Sequence, residues 1–262
     1  MATMTKHAPG TFCWAELGTT DQDAAKKFYG GLFGWTFRDQ SMGPGQGIYT
    51  IFQNKGQDCA ALYTLMPDML KQGVPPNWGS YIAVTSADET AKKVAQLGGT
   101  VIMEAFDVMD AGRMATIKDP TGAVFSLWEA KNHPGVGILR EPGALCWTEL
   151  MTTDPAKAGA FYKSLVGWST QDMPMGPMTY TLFKRADGTD AAGMMKIPDD
   201  MKGVPPHWTN YFQITDVQAT LAKAKSLGAG VLVPVTSIPG KGQFAILTDP
   251  QGAAFAVFQP AM

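Results

Sequence analysis

CWAELGTTD at residues 13–21 and FYGGLFGW at 28–35 return as CWTELMTTD at 146–154 and FYKSLVGW at 161–168, each 133 positions later. Further along, GVPPNWGSYIAV (73–84) returns as GVPPHWTNYFQI (203–214), and GRMATIKDPTGAVFSLWE (112–129) as GQFAILTDPQGAAFAVFQ (242–259), now 130 positions later. Four blocks in the same order make the chain a tandem duplication, a feature that decides the architecture before any single element is read. The offset falls by three between Trp35 and Gly73, so the second copy is shortened in the turn-rich stretch after its first helix. KNHPGVGILREPG (131–143), with two prolines and three glycines, reads as a linker between a module at 8–130 and a module at 144–262.

Each module opens as strand, cap and helix. FCWAELGT (12–19) alternates its large side chains with period 2 and ends at Thr-Thr-Asp, where a hydroxyl or carboxylate caps the next helix. In that helix Ala25, Phe28, Tyr29 and Leu32 recur at i, i+3, i+4 and i+7 before Gly34, and Ala158, Phe161, Tyr162 and Leu165 do the same before Gly167. A second helix carries Ala91, Val94 and Leu97 before Gly98, matched by Leu221, Ala224 and Leu227 before Gly228. Short β-rich runs such as IYTIFQ, AALYTL, TVIMEAF and AVFSLWE fill the rest, punctuated by GPG and DPTG turns. AKKF (25–28) is echoed by AKKV (91–94) half a module later, so each module reads as two βαβββ units.

Composition excludes several classes. With 262 residues, 45% apolar and 17% charged, the chain has material for packed cores and lacks the signature of disorder. Twenty-one basic against 23 acidic residues, with no basic run, give no electrostatic footprint for a phosphate backbone, so no nucleic-acid partner is expected. No run of about 18 apolar residues is present and the start, MATMTKHAPG, is not a signal peptide; the expectation is a cytoplasmic protein without a membrane partner. Cys13, Cys59 and Cys146 read as reduced thiols, Cys13 and Cys146 on the helix side of their strands. No phosphate loop, dinucleotide fingerprint or GxSxG elbow occurs.

The paired units, the …EL.TTD…A..FY..L.GW strand–cap–helix and the DPTG and DPQG turns before each last strand resemble the vicinal oxygen chelate superfamily. That superfamily includes glyoxalase I, bleomycin and fosfomycin resistance proteins and extradiol dioxygenases; tandem members with a paired CWxEL signature are the nearest in pattern. The resemblance covers nearly the whole chain. It implies an α+β fold of tandem duplicated modules, each two βαβββ units in a curved mixed sheet around a cavity with helices outside. It also implies a single divalent ion held by His, Gln or Glu on the first, fifth and last strands. Those positions fall on Trp14, near Gly79 and on Ser126 in module 1, and on Trp147, near Thr209 and on Ala256 in module 2. The usual triad is therefore missing twice, and three histidines (His7, His133, His207) are too few to rebuild it from imidazoles. A hard ion held by carboxylates and water stays open as the alternative.

Strand alternation predicts the lining of each cavity. If Cys13, Ala15 and Leu17 pack on the helices, then Phe12, Trp14 and Glu16 face inward, and Leu145, Trp147 and Glu149 in the second module. Tyr81 and Tyr211 enter from the fifth strand, Ser126 with Trp128 or Ala256 with Phe258 from the last. Glu16 and Glu149 read as proton-transfer groups raised by desolvation, as anchors for a cationic or hydroxylated ligand, or as structural acids satisfied by tyrosine hydroxyls or backbone groups. His207, in one of the rigid GVPP loops, is the one imidazole placed to act as an acid or base. Two functional readings follow. One is a binding protein, monomer or homodimer and without a cofactor, that holds a small aromatic or planar ligand between Trp14 or Trp147 and the facing tyrosines. The other is a divalent-metal glyoxalase-like lyase or dioxygenase with an altered site that includes Glu16 or Glu149.

Overall fold

The computed structural model describes residues 4–43, 45, 47–175, 178–201 and 203–261. Its first half runs β1 (Phe12–Thr19), α1 (Gln22–Phe33), β2 (Thr36–Ser41), β3 (Ile48–Asn54), β4 (Gln57–Thr64), α2 (Pro67–Lys71), β5 (Asn77–Ala83), α3 (Ala87–Val94), β6 (Thr100–Val108), β7 (Gly112–Lys118) and β8 (Val124–Ala130). The second half runs β9 (Leu145–Thr152), α4 (Pro155–Val166), β10 (Ser169–Met175), β11 (Met178–Lys184), β12 (Asp190–Lys196), β13 (His207–Gln213), α5 (Val217–Ser226), β14 (Gly230–Ile238), β15 (Gly242–Thr248) and β16 (Ala254–Pro260). Two eight-stranded curved mixed sheets result, ordered β2-β3-β4-β1-β5-β8-β7-β6 and β10-β11-β12-β9-β13-β16-β15-β14. In each, the two βαβββ units meet at an antiparallel central pair, β1 with β5 and β9 with β13. Among the described residues no helix is long and apolar enough to cross a membrane.

The caps appear where the sequence puts them. Asp21 and Asp154 accept the backbone N–H of Ala24 and Lys157, and Gly34 and Gly167 end α1 and α4 at φ 74° and 76°, a conformation that disfavours any residue with a Cβ. α1 packs against α5 and α4 against α3, so these four helices form a layer shared by the two modules, whereas α2 buries no side chain. One core joins Phe28, Tyr29 and Leu32 of α1 to Phe212, Leu247 and Phe255 of the second sheet; another joins Ile117 and Phe125 of the first sheet to Phe161, Tyr162 and Trp168.

Polar groups in this layer cross between the modules. The Tyr29 hydroxyl donates to Asp249 in the DPQG turn (3.0 Å) and accepts from Trp78 Nε1 (2.9 Å). Tyr162 repeats the pattern with Asp119 of the DPTG turn and Trp208. Trp35 Nε1 donates to Gly143 O, Trp168 Nε1 to Gly10 O, and Ser80 to Asn210 across the centre. The repeated FY..L.GW and DPxG blocks therefore dock one module onto the other and are not themselves the concave site.

One expectation fails for a local reason. The pairing of β1 with β5 shifts between Phe12 and Trp14, and that of β9 with β13 between Tyr211 and Phe212. Each shift is a β-bulge, at Cys13 and Cys146, and one extra residue reverses the alternation before it. Phe12 and Leu145 consequently pack on the helix side, Phe12 against Trp168 and Trp208. Cys13, expected there, instead joins the concave cluster around Trp14.

Candidate functional site

Strand order brings β3, β1, β5 and β8 side chains together on the first concave face, and β11, β9, β13 and β16 on the second. In module 1 the Trp14 indole donates to the Tyr49 hydroxyl (3.0 Å), which donates to Glu16 Oε2 (2.6 Å), while Tyr81 donates to Glu16 Oε1 (3.1 Å). In module 2 the Trp147 indole donates to Tyr180 (2.9 Å) and Tyr211 donates to Glu149 Oε1 (3.0 Å). Burial pushes both carboxyls above the usual carboxylate range, and their phenol donors pull part of the way back. Burial followed by the adjacent carboxylate drives Tyr49, Tyr81 and Tyr211 well above the ordinary phenol value, so these hydroxyls remain donors at neutral pH. The relay fixes each indole by its edge and leaves its face for packing.

Ser126 and Trp128 lie on the first concave face, Ser126 opposite Tyr81 and 3.4 Å from the Thr116 hydroxyl. Phe258 occupies the Trp128 position in module 2 and pairs with Phe244, which packs against Tyr211 at 6.1 Å between ring centroids. His207 begins β13 opposite Met151 and four residues before Tyr211, about 13 Å along an extended strand. Its Nδ1 donates to Pro205 O, as Asn77 Nδ2 donates to Pro75 O in module 1. The ring thus shapes the GVPP loop and stands apart from the Glu149 cluster. Tyr49 and Tyr180 escaped the strand-by-strand count. Their signal was the repeat YTIF (49–52) against YTLF (180–183), which puts both tyrosines at one structural position.

The modules differ in what covers the face. The linker crosses module 1: Val136 is fully buried in the Trp14 cluster, its N–H on Cys13 O, and the His133 ring stands edge-on to Trp14 at 4.6 Å. His133 O also accepts from Trp128 Nε1, and His7 bonds to Val136 O. Trp14 and Trp128 are 5% and 7% exposed beneath this strap. Their counterparts Trp147 and Phe258 are half-buried, as are Cys146, Tyr180, Leu182 and Phe244, so module 2 presents an aromatic face that solvent reaches. The acids run the other way, since Glu16 is half-buried and Glu149 only 8% exposed.

The donor set fits a divalent ion poorly. The three positions the resemblance marks hold an indole, a glycine and a serine, or an indole, a threonine and an alanine, and an indole N–H only donates. Both Glu16 oxygens already accept from phenols, and among the described residues no group of three His, Cys, Asp or Glu side chains is close enough to share an ion. The residues present do not fit a metal at either concave face.

Fold and sequence together define the class. Residues 11–127 match the Glyoxalase/Bleomycin resistance protein/Dioxygenase superfamily and residues 147–258 match the Glyoxalase-like domain. The chain belongs to the glyoxalase/bleomycin resistance protein/dioxygenase superfamily as a tandem two-domain member. Its relatives include the "Putative glyoxylase CFP32" of Mycobacterium tuberculosis (strain CDC 1551 / Oshkosh), 44% identical over 262 residues, 100% of this chain and 99% of that protein. The Anthracycline biosynthesis protein DauV of Streptomyces sp. (strain C5) is 36% identical over 266 residues, 98% of this chain and 95% of that one. Among solved structures, the Mn(II)-bound glyoxalase from Novosphingobium aromaticivorans superposes with a TM-score of 0.65 at 14% identity, covering 99% of this chain and 83% of that one, a likeness of fold.

Proposed function

We propose that the chain binds a small planar aromatic molecule on the concave face of its second module, against the Trp147 indole and without the metal triad of the superfamily. One observation carries this reading. Trp147 is held by its N–H on Tyr180 and only half-buried, whereas its twin Trp14 is buried under His133 and Val136. A side chain fixed before the ligand arrives loses little entropy on binding, and an indole face suits offset stacking on another ring. Phe244 and Phe258, both half-buried, extend the apolar surface. DauV supports the same direction, since its name ties it to the biosynthesis of anthracyclines, which contain a planar anthraquinone.

Titration with anthraquinone-2-sulfonate, followed by tryptophan fluorescence, tests the proposal. Saturable quenching is expected in the wild type and in Trp14→Ala, lost in Trp147→Ala and indifferent to EDTA. The metal-enzyme reading calls for the opposite pattern: near-stoichiometric metal on elemental analysis and chelator-sensitive turnover that Glu16→Gln or Glu149→Gln abolishes.

A further inference from the structure

The duplication supplies an internal comparison away from the concave faces, on the side of each sheet where the first helix packs. In module 1 the space between α1 and strands β2 to β4 is filled by two side chains of α1. Gln22 bonds to Ile48 O and to Thr64 and Thr50. Lys26, 10% exposed, places Nζ 3.0 Å from Asp39 Oδ2, while Thr50 donates to Asp39 Oδ1 at 2.6 Å. In module 2 the same two positions are Pro155 and Gly159. A groove of about 730 Å³ opens there between α4 and β10–β12. The acid and its orienting donor are retained, with Thr181 on Asp172 Oδ1 at 2.6 Å, but the ammonium is gone and Asp172 has no ion pair among the described residues.

Gly159 is not required by the backbone or by crowding. A Cβ there would meet Thr170 and Met194 at 3.4 and 4.0 Å, which is ordinary contact, and its φ is not in the left-handed region. A mid-helix glycine is less favourable than alanine, so leaving this position bare works against the helix while keeping the groove open. Met178, Met194, Ala156 and Ile197 give the groove apolar, adaptable walls; Lys163 and Lys196 also line it, both exposed, Lys196 paired with Asp199 at 3.1 Å, and Asp172 is exposed at the groove.

We infer that this groove of module 2 is a second binding site, for a small molecule carrying a primary ammonium on an apolar stem, with Asp172 receiving the ammonium where Asp39 receives Lys26. The site lies against α4 and is independent of the Trp147 face.

The test uses the full chain with methyl-labelled methionine and n-hexylammonium as the probe, with n-hexanol as its uncharged counterpart. The expected result is saturable shifts of the Met178, Met194 and Met195 methyl signals with hexylammonium, weakened about tenfold in Asp172→Asn, which keeps the Thr181 acceptor but not the charge. Gly159→Lys restores the lysine of module 1 and should abolish the shifts while raising the melting temperature. Absence of saturable shifts, equal shifts with hexanol, undiminished binding by Asp172→Asn or persistent binding by Gly159→Lys would each overturn the inference.

Discussion

Replacing Tyr29 by phenylalanine removes one oxygen and should loosen both modules at once. The hydroxyl is fully buried, donates to Asp249 and accepts from Trp78 Nε1, so the variant leaves a buried carboxylate oxygen and a buried indole N–H without partners. A hydrogen bond to a charged group contributes about 1.5–3 kcal/mol and a neutral one about 1, which together give a loss of about 3 kcal/mol. With a urea slope of about 3 kcal/mol per molar, the midpoint falls by about 1 M. The loss also depends on pH. Burial already raises the Asp249 carboxyl, and Tyr29 is among the donors that hold it down, so Tyr29→Phe raises it further. A carboxyl raised in the folded state binds more protons there than in the unfolded chain, so stability falls as pH rises through that window. The deficit should be larger at pH 7 than at pH 5. Urea titrations of wild type, Tyr29→Phe, Asp249→Asn and the double variant measure all of this. A loss below about 1 kcal/mol, a deficit that ignores pH, or strict additivity in the cycle would refute the reasoning.

Other expectations concern the concave faces. His133→Ala removes the ring over Trp14 and a partner of Asp58, and should raise acrylamide quenching of native tryptophan fluorescence; unchanged quenching would mean that His133 does not shield Trp14. The Cys146 thiol is pushed up to about 12 by burial, against a smaller lowering by Arg140, so iodoacetamide at pH 8 should leave it intact in the native protein and alkylate it in urea. The Glu149 carboxyl is raised by burial, so the wild type should gain stability relative to Glu149→Gln as the pH falls from 7 through the raised value; the reverse slope would contradict a desolvated acid.

Much of the fold was readable because duplication leaves the same blocks at nearly constant offsets, and the period of Phe28, Tyr29 and Leu32 marks a packed face whatever it packs against. What it packs against was not readable. Nothing local to FYGGLFGW states that Tyr29 meets Asp249, 220 residues away, so blocks that identify the superfamily turned out to hold the modules together. Strand parity placed Trp14, Glu16, Tyr81 and their twins on the concave faces. It misplaced Phe12 and Leu145 because a β-bulge at each cysteine adds a residue without a sequence signal of its own. Tyr49 and Tyr180 were accessible through the repeat but not through counting from the caps. The difference between the modules lay in the linker, whose composition predicts a connection and not that Val136 and His133 cover one of two equivalent sites.

The most direct measurement is the stoichiometry of anthraquinone-2-sulfonate binding by calorimetry, on metal-free protein and on Trp14→Ala and Trp147→Ala. The account predicts one equivalent per chain, retained in Trp14→Ala and lost in Trp147→Ala. Two equivalents, or a single equivalent that disappears with Trp14 and survives without Trp147, would contradict it.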